Sequence, residues 1–291
     1  MHEIRTAGAA PYGCGAQSVM QLAARKGSGW LGVGVDELGF RVERGVVARL
    51  VIDRAEKRNA LTRAMWEALP GVLAELAEDE IVKVLLVTGA GPSFSAGADI
   101  GELISGADPA DPMAELRVFN LRAQAALREF PKPTVAVVRG HCIGGGLEIA
   151  VNCDFRFAAR GAMFGVTPAR IGVVYPPEAI KVLLDLVGPA TTKYLLFSGE
   201  LLTADRAELK GLVDRVAEPA ELDADVEAFA ATLVTRSQLT IRCAKETVNA
   251  LLADRPAPER YEETIATGEL AEGIAAFLEK RPPSFPWNFR R

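Results

Sequence analysis

The chain has 291 residues, 49% hydrophobic and 24% charged, with a formal net charge of −5 and a pI near 5.4. This is the balance of a soluble globular protein of one large domain or two modest ones; with no basic stripe, it excludes a general affinity for nucleic acid. Four cysteines without a CxxC pair and two histidines, His2 and His141, exclude a recognisable zinc constellation, and no apolar run approaches the ~20 residues of a membrane span.

Residues 1–38 are rich in Gly and Ala, contain Pro11, and hold Glu3 as the only acid before Asp36. No compact apolar segment follows Arg5, so a secretory signal is not expected; a flexible extension is, with a transit peptide as the alternative. Unpaired thiols fit a reducing, cytoplasmic setting. Phe40–Glu43 and Val46–Asp53 flank Arg44-Gly45 and read as a β-hairpin. After the polar loop DRAEKRNALT, Thr62 can cap a helix whose apolar positions Met65, Leu69, Val72, Leu73 and Leu76 share one face. Pro70-Gly71 is expected to kink or split that helix.

Val82–Thr88 reads as a doubly buried strand ending in the glycine loop GAGPSFSAGADIGEL, with Ala98-Asp99-Ile100 opening a short helix. Residues 103–114 read as a polar loop, and 115–130 as an amphipathic helix stopped by PKP. The stretch 139–159, RGHCIGGGLEIAVNCDFRFAA, follows the strand 134–138 and repeats the design of strand, glycine loop and helix start. Helix starts leave N–H groups free, and two such starts can aim two amides at one developing oxyanion. Glu148, two positions past Gly146, places a carboxyl inside an apolar helix, where it is costly unless hydrogen-bonded or used. Oxyanion donors beside a base are the parts of enolate or acyl chemistry. Short helices and strands follow to about residue 215, then a helical tail whose last long segment, 259–280, presents Ile265, Leu270, Ile274, Phe277 and Leu278 for burial on the body or on another subunit.

Four motifs in order resemble the crotonase (enoyl-CoA hydratase/isomerase) superfamily: AEKRNALT at 55–62, FSAGADI at 94–100, PKPTVAVVRGHCIGGGLEIAVNCDFRFAA at 131–159 and AFLEKRPPSF at 276–285. The resemblance implies an α/β fold, a spiral of ββα units over 39–215 with a C-terminal helical trimerisation and CoA-covering region at 216–291. It implies an acyl-CoA substrate, no separate cofactor, and a homotrimer or dimer of trimers. The N–H groups of Ala98 and Gly145 map onto the oxyanion donors and Glu148 onto a catalytic carboxylate. Lys57, Arg58, Ala60, Leu61, Ala96, Asp99, Ile100 and Gly144 map onto CoA and substrate contacts, and Phe277 and Lys280 onto contacts with a neighbour's nucleotide. Helix capping is the competing reading of Asp99.

One position departs from the family pattern. Hydratases of this family hold water between two glutamates; the second should stand at 168, which is proline. Glu178 is a conceivable substitute, though expected on the surface. The text TPARIGVVY at 167–175 resembles the segment of methylmalonyl-CoA decarboxylases that brings in a tyrosine, here Tyr175. Decarboxylation needs an oxyanion hole and a proton donor but no base, and a phenol can orient or donate. A packing tyrosine is the competing reading. Against the analogy, Ser95–Asp99 keeps the hydratase form SAGAD, and His141 reads as structural. Three functions therefore stay open: hydratase or isomerase, malonyl-type decarboxylase, and a CoA-binding assembly protein with a degraded site.

Overall fold

The computed structural model describes residues 37–99, 101, 111 and 113–287. In chain order these give β1 (Phe40–Glu43), β2 (Val47–Ile52), α1 (Arg63–Glu78), β3 (Val84–Gly89), α2 (Ala114–Arg128), β4 (Thr134–Val138), β5 (His141–Ile143) and α3 (Gly145–Val151). Then come β6 (Phe155–Ala159), β7 (Met163–Gly165), α4 (Pro168–Ile171), α5 (Pro177–Ser198), β8 (Leu202–Thr203), α6 (Ala204–Leu209) and β9 (Arg215–Ala217). Four helices close the chain: α7 (Leu222–Val234), α8 (Gln238–Leu252), α9 (Tyr261–Ala266) and α10 (Glu269–Glu279).

Two sheets share the strands. The larger runs β1-β2-β3-β4-β6-β9, antiparallel only in the β1–β2 hairpin. The smaller is β5-β7-β8, and parallel bridges Leu61–Ala98 and Ser95–Cys142 extend it toward the start of α1. Each turn of chain gives one strand to each sheet before a helix returns it, as in β4, β5, α3 and then β6, β7, α4. This is a spiral of ββα units. β3 and β4 are apolar without alternation because both faces are covered: one by the main core, the other by α7, whose Phe229 stacks edge-on against Phe155 at 4.9 Å.

The hairpin and the cap of α1 by Thr62 fall where the sequence puts them. α5 is broken at Gly188, φ +72°. Two expectations need correction. α1 runs through Pro70 as one helix, because Met65, Trp66, Leu69, Val72, Leu73 and Leu76 are buried on one continuous face and that burial outweighs the lost ladder bond. The segment 259–280 is not one helix: Gly268, φ +79°, adopts the left-handed backbone and separates α9 from α10. In the isolated chain α10 leaves Leu270, Ile274, Phe277 and Leu278 exposed.

Asn59 holds the loop that positions the first strand–glycine turn, the one after β3. It is fully buried, donates to the carbonyls of Ala90 (2.8 Å) and Ser93 (2.7 Å), and accepts the Arg54 N–H at 3.0 Å. Asn59→Ala would strand three backbone groups, one buried and two part-buried, so it should cost about 2–4 kcal/mol in urea unfolding, with the m-value unchanged.

Candidate active site

Ser95 sets the first of the two turns. Its hydroxyl donates to the Asn59 carbonyl at 2.7 Å and accepts the Gly97 N–H at 3.1 Å. Gly97 then takes φ +97°, a backbone that glycine alone adopts without strain. Its carbonyl accepts the Leu61 N–H at 2.8 Å, and the Asp99 N–H goes to the Leu61 carbonyl at 2.9 Å. Ala98 lies between them in a bridge with Leu61, so its N–H faces away from that pairing. The sequence reading placed Ala98 at a helix start; it sits in extended backbone instead, while Ile100 and most of the expected helix and of the loop 103–114 lie outside the described residues.

The second turn is Gly144, φ +53°, whose N–H bonds to Gly165 at 2.9 Å before α3 begins at Gly145. The two turns meet. A methyl group built on Gly145 would lie 3.5 Å from the Ala98 nitrogen, and one on Gly97 would lie 3.0 Å from the Gly145 nitrogen. Among the described residues neither amide N–H has an acceptor. Two adjacent, unsatisfied backbone donors at a buried point are equipped to share one negative oxygen.

Glu148 sits in the first turn of α3, 8% exposed. Burial pushes its carboxyl up from 4.5 to about 7, opposed by the hydrogen bond from Asn120 Nδ2 to Oε2 at 2.8 Å. That bond is the end of a buried polar chain between α2 and α3. Gln124 donates to Asn120, Asn152 donates to Gln124 (3.2 Å) and to the Glu148 carbonyl (2.7 Å), and Arg128 donates to Asn152 (3.0 Å). The carboxyl is thereby held in one orientation while keeping a pKa suited to proton transfer near neutral pH. The sequence reading missed this network. Its signal was present: Asn120 and Gln124 interrupt the apolar side of α2 one turn apart, and Asn152 follows Glu148 by four.

Tyr175 is half-buried against the core, and its hydroxyl oxygen lies 3.8 Å from where a methyl on Gly144 would stand. Burial, then the nearby Glu148 charge, pushes its phenol well above the ordinary value, so it remains a donor. Pro168 is buried at the start of α4 and brings no carboxylate. Glu178 is exposed and lines a surface groove with Arg122 and Arg128 of α2, and so does not replace one. The only other buried carboxyl among the described residues, Glu269, accepts the Trp287 N–H at 2.9 Å.

Of the remaining residues singled out from sequence, Leu61 is buried beside Ala98, and Ala60 and Ala96 line the same loops half-exposed. Lys57 and Arg58 are exposed on the loop that docks onto Ala96, whose N–H donates to the Arg58 carbonyl at 2.9 Å. Asp99 Oδ2 takes both Arg54 guanidinium nitrogens at 3.2 Å, because Arg54 reaches across to close the loop, while most of the helix it would cap lies outside the described residues. Phe277 is exposed on α10 and Lys280 is exposed just past its end. His141 is exposed at the start of β5 rather than packed. No group of three or more His, Cys, Asp or Glu able to hold a metal exists among the described residues, and no described helix is long and apolar enough to cross a membrane.

Residues 43–288 match the family model described as enoyl-CoA hydratase/isomerase. The chain is 33% identical over 249 residues to a crotonyl-CoA hydratase of Syntrophomonas wolfei, covering 82% of this chain and 94% of that one. It is 31% identical to a short-chain-enoyl-CoA hydratase of Clostridium acetobutylicum, over 82% of this chain and 94% of the relative. Among solved structures, an enoyl-CoA hydratase/isomerase family protein of Hyphomonas neptunium superposes with a TM-score of 0.78 at 35% identity, over 85% of this chain and 97% of that one.

Proposed function

The chain belongs to the enoyl-CoA hydratase/isomerase family, and from that premise we propose that it is an acyl-CoA enzyme working through a thioester enolate held by the Ala98 and Gly145 amides, with Glu148 as the proton-transfer group. The adjacency of two amides that lack an acceptor among the described residues, beside a buried carboxyl, carries this reading. Charge that develops on the thioester oxygen is met by donors already in place, and one such donor is worth roughly 3–4 kcal/mol of barrier. Burial in low dielectric strengthens both bonds. A CoA-binding protein with a degraded site fits less well, since the donors, the carboxyl and its supporting network are all intact. Lys57, Arg58, Ala96 and Asp99 line the approach on which the nucleotide and pantetheine would lie, and the exposed apolar face of α10 suits a second copy of the chain, with Phe277 and Lys280 reaching the neighbour's nucleotide.

A second reading is favoured by one observation. Among the described residues one carboxyl and a phenol, rather than two carboxyls, flank the amide pair. That set suits loss of CO₂ from a malonyl-type thioester: the C–C electron pair passes into the enolate, the amides hold the oxygen, and Tyr175 or protonated Glu148 returns a proton to carbon. Assays with crotonyl-CoA and methylmalonyl-CoA separate the two. Fast water addition to crotonyl-CoA supports the hydratase reading; CO₂ release from methylmalonyl-CoA supports the other, and absence of turnover of any acyl-CoA contradicts both. Under the decarboxylase reading Tyr175→Phe should lower kcat roughly 10²-fold; under the hydratase reading it should change kcat less than about threefold.

A further inference from the structure

Between α2 and α3 the hydrogen bonds that reach Glu148 close into a ring. The Glu148 backbone carbonyl accepts from Asn152 Nδ2 at 2.7 Å, and Asn152 Nδ2 also donates to Gln124 Oε1 at 3.2 Å. Gln124 Nε2 donates to Asn120 Oδ1, and Asn120 Nδ2 donates to Glu148 Oε2 at 2.8 Å. The ring therefore leaves Glu148 by its main chain and returns to it by its carboxyl. Gln124 and Asn152 are buried and Asn120 is half-buried. Apolar side chains would pack this seam as well and would need no partners.

The direction of these bonds is forced. A side-chain amide can present either its oxygen or its nitrogen to a neighbour. Asn152 has no such choice. Its Oδ1 faces Arg128 Nη1 at 3.0 Å, which only donates, and its Nδ2 faces the Glu148 carbonyl, which only accepts. With Asn152 fixed, Gln124 offers Oε1 to it and Nε2 to Asn120, so Asn120 must offer Nδ2 to the carboxyl. Arg128 is anchored in turn, because its backbone carbonyl accepts from Asn249 Nδ2 of α8 at 2.9 Å. One oxygen of the Glu148 carboxyl is thus met by a donor. The other, Oε1, has no partner among the described residues and is not enclosed.

We propose that Asn120 is a positioning residue: oriented by the ring, it occupies Glu148 Oε2 and so confines proton exchange with the substrate to Oε1. This rests on Glu148 being the proton-transfer group of the function above, and it holds whether that group acts as base or as acid. The donor on Oε2 also favours the ionised carboxyl, opposing the burial that pushes it up. Among the described residues the Tyr175 phenol is the other titratable group coupled to Glu148, and Arg128 is the charge at the far corner of the ring.

Two variants of the full chain test it. Asn120→Leu removes the donor at similar size, and Asn120→Asp keeps the shape but puts an acceptor in the donor's place. Glu148 is titrated by NMR of its isotope-labelled carboxyl, assigned by its absence in Glu148→Gln. The midpoint of the kcat–pH profile is measured with crotonyl-CoA or methylmalonyl-CoA, whichever is turned over. The wild-type midpoint should lie at about 7. Asn120→Leu should raise it by roughly one pH unit. Asn120→Asp should raise it at least as far, because two facing carboxyls share a proton. Plateau kcat should fall roughly tenfold, with KM within about twofold. In the wild type itself, the Asn120 side-chain nitrogen resonance should titrate with the midpoint of the carboxyl. A midpoint unmoved in a folded variant, even one of lowered stability, or an Asn120 resonance that does not follow the carboxyl, overturns the inference and leaves the proposed function standing. Absence of turnover of any acyl-CoA by the wild type overturns both.

Discussion

Glu148→Gln is expected to lower kcat by roughly 10²–10⁴-fold while KM for a CoA ester changes less than about threefold. The amide side chain keeps the size of the carboxyl and can still accept from Asn120, so the network between α2 and α3 stays closed. What is lost is the proton. The same change should stabilise the fold at alkaline pH. Burial raises the folded-state pKa of Glu148 from 4.5 to about 7, so the folded protein binds more protons than the unfolded chain between those values. The neutral carboxyl's contribution is therefore complete below about pH 4.5 and is lost as pH rises through about 7. At pH 8 the wild type carries a buried charge that glutamine does not, a difference of up to about 3 kcal/mol at ~1.4 kcal/mol per pH unit. Urea unfolding of both proteins at pH 5 and pH 8 measures it: the gap should open only at the higher pH. Activity divides the two readings by its sign. A base at Glu148 makes kcat rise through about pH 7, and an acid at Glu148 makes it fall.

Gly145→Ala should cost at least 10²-fold in kcat, the scale of one lost oxyanion donor. The backbone at Gly145 is helical and tolerates alanine; the obstacle is space. The added methyl would stand 3.5 Å from the Ala98 nitrogen, crowding the donor pair, and 2.8 Å from Trp66 Cζ2. The clash with the indole should also destabilise by about 1–3 kcal/mol. Trp66→Leu in the same chain separates the two effects. It makes room for the methyl, so stability should recover while kcat stays low. Recovery of kcat along with stability would mean the methyl acted through packing and not by filling the donor site.

Much of this was legible from residue order alone. The hairpin, the buried strands, the two glycine turns and Glu148 carry local signals: β-branched runs, positive-φ glycines and a lone acid among apolar neighbours. What escaped depends on distance in sequence. Trp66 reads as another apolar position of an amphipathic helix until Gly145, on a different unit of the spiral, is found against its ring. Arg54 and Asp99 are 45 residues apart, and no local rule pairs them. Asn120 and Gln124 look like polar flaws in a helix face, and gain meaning only when α3 brings Glu148 beside them. Pro70 shows the converse: a strong local breaker is overruled because α1 buries a whole face. Ala98 was assigned to a helix start on loop chemistry, and its extended backbone follows from pairing with Leu61, a partner the loop itself does not reveal.

The central claim concerns one oxygen and two amides, and a crystal structure with a bound acyl-CoA thioester tests it most directly. The thioester oxygen should lie 2.7–3.1 Å from both the Ala98 and the Gly145 nitrogen, with a Glu148 carboxyl oxygen within hydrogen-bond reach of the reacting carbons' proton or water. A thioester carbonyl bound away from that pair, with both amides left free, would contradict the account.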